Sequence, residues 1–61
     1  MNYFAIYLNG SFVGFIMEES QKAFLLERDA NHEFYKFTWN EDTPPMPENV
    51  SLVDGVLKVT V

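Results

Sequence analysis

From Tyr3 to Met17 the chain reads Tyr-Phe-Ala-Ile-Tyr-Leu-Asn-Gly-Ser-Phe-Val-Gly-Phe-Ile-Met, two apolar runs broken at Asn9-Gly10-Ser11. Asn-Gly between apolar runs predicts a β-hairpin, because both residues accept positive φ and suit a type I′ turn. With Asn9 and Gly10 as the loop, the expected cross-strand pairs are Leu8–Ser11, Tyr7–Phe12, Ile6–Val13, Ala5–Gly14, Phe4–Phe15 and Tyr3–Ile16. Side chains alternate along a strand. Phe4, Ile6, Leu8, Val13 and Phe15 then share one face, and Tyr3, Ala5, Tyr7, Phe12, Gly14 and Ile16 share the other. Neither face is polar and residues 1–17 carry no charge, so both faces need cover. Ala5 and Gly14 would form the floor of a trough between aromatic walls. A helix or a second subunit is its favoured occupant and a small ligand the lesser one.

Beyond the acidic Glu18-Glu19, the pattern changes. Residues 21–30 are rich in good helix formers, with Ser20 as an N-cap, and predict a helix over residues 20–30. Ala23, Leu26 and Ala30 recur at i, i+3 and i+7 and form the predicted inward stripe, leaving Lys22 and Asp29 exposed. Asn31-His32 reads as a break. Residues 33–39 then alternate, with Tyr35, Phe37 and Trp39 on one face and Lys36 and Thr38 on the other, which is strand periodicity. Two rival readings exist. One continues the helix through residue 37. The other makes residues 22–28 a strand and gives an all-β six-stranded meander.

Residues 40–49 hold all three prolines and read as a stiff extended spacer, in preference to a proline-rich docking ligand. Asp54-Gly55 is a second type I′ signal. It pairs Val53 with Val56, Leu52 with Leu57, Ser51 with Lys58 and Val50 with Val59. This hairpin has one apolar face, made by Val50, Leu52, Leu57, Val59 and Val61, with Ser51, Lys58 and Thr60 opposite. The resulting fold is α+β in a single domain, residues 1–61: a small antiparallel sheet of two hairpins plus one strand, with one short helix on one face. The aromatic strand and the last hairpin are expected to extend the sheet sideways.

Composition narrows the function. A chain of 61 residues is marginal alone, burying only about 60% of the surface its unfolded form exposes. With no cysteine and one histidine it has neither disulfides nor a zinc site of Cys and His, so oligomerisation is the remaining support. Nine acids against four bases give a net charge of −5. That repels phosphate backbones and argues against direct nucleic-acid binding. No positive n-region precedes the apolar opening, and Asn9-Gly10-Ser11 interrupts it, so neither an export signal nor a membrane span is expected. The predicted location is the cytoplasm. The glycosylation sequons at Asn9 and Asn49 are then coincidental.

Chemistry is sparse. His32 lacks a nucleophile at any recognisable spacing and reads as a turn histidine. The pairs Glu18-Glu19 and Glu41-Asp42 fit no calcium-loop pattern and read as solvated rim. No catalytic, cofactor or metal-binding residue is assigned. The expected function is that of a non-enzymatic accessory or regulatory module that binds another protein, as a homodimer. Its interface residues are Tyr3, Tyr7, Phe12 and Trp39, aromatics some of which are expected to stay open. A rival reading is an acidic inhibitor mimicking nucleic acid through Glu18, Glu19, Glu27, Asp29, Glu33, Glu41 and Asp42. Another is a small-ligand carrier using the trough.

Overall fold

The computed structural model describes all of residues 1–61. The strands β1 (Asn2–Leu8) and β2 (Ser11–Ile16) lead into helix α1 (Ser20–Arg28) and strand β3 (His32–Thr38). A 3-10 turn at Pro47–Asn49 then precedes β4 (Val50–Val53) and β5 (Val56–Val59). The first three strands form an antiparallel sheet in the order β2-β1-β3, and β4-β5 forms a separate two-stranded sheet. The α+β reading holds. Residues 22–28 are helical, so the chain is not a meander, and the helix stops well short of residue 37.

Both tight turns follow from local chemistry. Asn9 and Gly10 have φ of 52° and 84°, and Asp54 and Gly55 have φ of 52° and 77°. Two successive positive φ values define the type I′ turn, whose twist matches that of the flanking strands. The C-terminal hairpin has all four expected pairs.

The first hairpin departs from regular alternation. Leu8–Ser11 and Tyr7–Phe12 pair as expected, but the next pairs are Ile6–Gly14, Ala5–Phe15 and Phe4–Ile16. Val13 is an extra residue, a β-bulge in the edge strand. Every β2 side chain after it therefore changes face relative to the regular register. Phe15 moves across from the face of Phe4 to join Tyr3, Ala5, Tyr7 and Phe12. Gly14 and Ile16 move the other way. The bulge also guards an uncharged free edge, whereas β3 guards the opposite edge with Glu33 and Lys36.

The aromatic face is the core. Tyr3 stacks on Phe37 at 5.9 Å between ring centroids, and Phe12 meets Phe15 edge-on at 4.9 Å. Tyr7 lies edge-on to both Phe12 and Tyr35 at 5.6 Å. The second hairpin covers this face. Val50 is buried among Ala5, Tyr7, Phe37 and Trp39, and Leu52 and Leu57 pack around them. Strand β3 does extend the sheet, beside β1, but the last hairpin does not. Its single apolar face packs on the aromatic face, so it stacks as a second layer.

Helix α1 lies over the opposite face, where Phe4 and Ile6 are buried. It turns a different stripe inward from the one its apolar residues predict. Lys22, Leu25 and Asp29 are half-buried, whereas Ala23, Leu26 and Ala30 are exposed. No helix residue is fully buried. The helix also ends at Arg28, not Ala30: Asp29 is extended, and its carboxylate accepts the Asn31 N–H at 2.9 Å. Such an Asx turn competes with the next helical hydrogen bond.

The proline loop is tied down at both ends. Trp39 Nε1 donates to the Thr43 carbonyl at 2.7 Å, and the Trp39 backbone pairs with Met1. Asn49 accepts the Met46 N–H at 2.8 Å and donates through Nδ2 to the Thr60 carbonyl at 2.7 Å.

Candidate interaction surface

The four aromatics singled out in the sequence do gather on one face, but that face is largely used inside the chain. Tyr7 is 4% exposed and Trp39 6%, so both belong to the core. Tyr3 and Phe12 are half-buried against it. The assignment of Tyr7 and Trp39 to an open interface is thereby corrected, because the C-terminal hairpin supplies their cover, whereas Tyr3 and Phe12 stay partly open. The trough is corrected too. Ala5 lies opposite Phe15 and Tyr35, Gly14 lies opposite Ile6, and Val50 occupies the space above Ala5.

The acidic residues are dispersed over α1 and its two flanks, β3 and the loop. Glu19 pairs with Lys22 at 3.6 Å, and Glu18 accepts a 3.4 Å hydrogen bond from Ser20. Asp29 is half-buried and ends the helix. Glu27, Glu33, Glu41 and Asp42 are exposed. No group of three or more His, Asp and Glu side chains is placed to hold a metal ion. His32 is not a free turn residue. It opens β3, half-buried, with Nδ1 2.8 Å from the Asp29 carbonyl. Burial raises the Tyr7 pKa above the ordinary tyrosine value. Burial, and then the neighbouring Glu33 carboxylate, raises that of Tyr35.

Two open features remain. The first is a groove of ≈ 510 Å³ at the end of the sheet where β2 runs into α1. Tyr3 and Phe15 line it from the aromatic face, Ile16, Met17 and Glu18 from the connection, and Gln21 and Pro44 complete it. Its only charge is negative. The second is the outward side of α1. Phe24 is 71% exposed, the most exposed large apolar side chain of the helix, with Leu26 next at 43%. Successive helical residues are about 100° apart, so Phe24 and Leu26 fall on nearly opposite flanks. Phe24 belongs instead to the stripe Gln21–Phe24–Arg28, at i, i+3 and i+7. Because Gln21 lines the groove, this stripe runs straight out of it. Arg28 is exposed and makes no ion pair within the chain.

Periodicity alone did not single out this stripe. In the sequence Gln21–Phe24–Arg28 competes with Ala23–Leu26–Ala30, and average hydrophobicity favours the latter. The usable signal was Phe24 itself, a large aromatic that lies off the predicted inward stripe Ala23–Leu26–Ala30.

These features describe a small α+β domain with a filled aromatic core and a partly apolar helix flank left open beside an acidic groove. No helix is long and apolar enough to cross a membrane. Comparison with protein-family models, curated proteins and solved structures finds no match.

Proposed function

We propose that this chain is a non-enzymatic protein-interaction module that acts by binding another protein and works as a homodimer in the cytoplasm. The observation that carries the reading is Phe24, 71% exposed on a helix with no buried residue. A nine-residue helix is too short to be stable alone and draws its stability from packing. Helix α1 packs through a lysine stem and one leucine, and leaves its aromatic residue outside. Aromatic side chains are enriched among the anchors of protein contacts. Small size adds to the case, since oligomerisation is a common support for chains of this length. The cysteine-free composition suits a reducing compartment.

Sedimentation equilibrium across the micromolar range tests this. A concentration-dependent dimer is expected. A monomer at every concentration would remove the self-association part of the proposal.

A further inference from the structure

We infer that two copies of this chain pair through antiparallel α1 helices, each copy seating its Phe24 in the other's groove and setting its Arg28 against the other's Glu18. The inference rests on the interaction-module reading and specifies its surface and its partner.

The groove defines what it would accept. It is lined by apolar side chains, with Tyr3, Phe15 and Met17 among them, and its single charge is the Glu18 carboxylate. Its complement is an apolar anchor with a cation nearby. The chain itself displays that combination: exposed Phe24, with exposed Arg28 four residues on. Residues four apart lie on one side of a helix, so anchor and cation reach a partner together. Arg28 is also unpaired within its own chain and so is free for the contact.

Register is compatible with both contacts. In an antiparallel helix pair the residue numbers that face each other have a nearly constant sum. Phe24 against Gln21, the helix residue of the groove, gives about 45. Arg28 against Glu18 gives about 46. One alignment therefore satisfies the apolar and the ionic contact at once, within the spacing of a single helical residue. The arrangement is isologous, so both contacts occur twice about a two-fold axis. Antiparallel packing also sets the negative end of each helix dipole beside the positive end of the other. Each copy carries a net charge of −5, and association without a local cation at the contact would be opposed. Arg28 supplies that cation.

Sedimentation equilibrium of the whole chain and its variants is the test, with circular dichroism to confirm folding. Phe24→Ala is expected to weaken the dimer about tenfold or more. Glu18→Arg and Arg28→Glu are each expected to weaken it several-fold, and the double charge swap to restore it. Leu26→Ser, on the other flank, is expected to leave it within about twofold. Phe24 is exposed, so its truncation tests the contact and not the core. A dimer indifferent to Phe24→Ala, or charge reversals that the double swap does not rescue, would overturn this pairing while leaving self-association intact. A monomeric wild-type chain would overturn both.

Discussion

The Lys22 ammonium sits 4.1 Å from the centroid of the Phe4 ring. The same nitrogen is 5.5 Å from the Phe34 ring and 3.6 Å from a Glu19 carboxylate oxygen. A cation over an aromatic face is attracted by the ring quadrupole, and its aliphatic stem covers apolar surface below. Lysine thus occupies an inward position that the hydrophobic pattern would give to alanine. Lys22→Ala is expected to cost about 1 kcal/mol in urea denaturation, and Lys22→Met clearly less, since methionine retains a long apolar stem. Equal losses for the two would assign the effect to charge alone.

Val13 can be removed without changing the pairing on either side of it. Deleting one residue from a regular strand turns every later side chain to the other face. Here the deletion closes the bulge and leaves Tyr7–Phe12, Ile6–Gly14 and Ala5–Phe15 in place. The Val13 deletion is expected to fold with a loss of about 1 kcal/mol or less, judged by chemical denaturation. It should also aggregate more readily, because the bulge guards an uncharged edge. An unfolded deletion variant would contradict the observed register.

Gly10 and Gly55 are required for backbone conformation and not for space. A Cβ at either position meets nothing within 4 Å, yet their φ values are 84° and 77°. Gly10→Val and Gly55→Val are each expected to destabilise by more than about 1 kcal/mol, because β-branched residues resist positive φ. Thermal unfolding of the two variants gives the answer. Stability equal to the parent in Gly55→Val would rule out the type I′ turn there.

Asn49 joins the proline loop to the last strand through both ends of its amide. Asn49→Ala is expected to cost about 1 kcal/mol, because both hydrogen bonds lie in exposed surroundings. Asn49→Asp keeps the acceptor for Met46 and loses only the donor to Thr60, so a smaller loss is expected. Hydrogen exchange at the Met46 amide distinguishes them, with protection lost in the alanine variant alone.

Tyr7 and Tyr35 both hold their protons more tightly in the folded chain than free tyrosine does. Folding therefore favours the protonated phenols. That contribution is fully present below the unfolded tyrosine pKa of about 10 and is lost as pH rises through the folded values. Stability is expected to decline above about pH 10. Tyr7→Phe should reduce the decline, measured by denaturation at several alkaline pH values. An unchanged slope in that variant would show that Tyr7 does not contribute.

The sequence by itself determined the elements and the turns. Asn9-Gly10 and Asp54-Gly55 select their turn type through the φ each residue tolerates, whatever surrounds them. The C-terminal register followed from its turn, and the strand after His32 from its period of two. Three matters needed the tertiary structure. The bulge at Val13 adds no signal to the sequence, because both registers put apolar residues on both faces. The inward stripe of α1 depended on what lay beneath it: Phe4 and Phe34 present aromatic faces that a lysine can cover, a preference that average hydrophobicity does not contain. The second hairpin became a layer, and not an extension of the sheet, because Val50, Leu52 and Leu57 found their match above Ala5 and Tyr7. That choice closed most of the predicted interface and left Phe24 outside. Local conformational preference is written residue by residue, whereas which apolar surface meets which is decided only when all of them compete for cover.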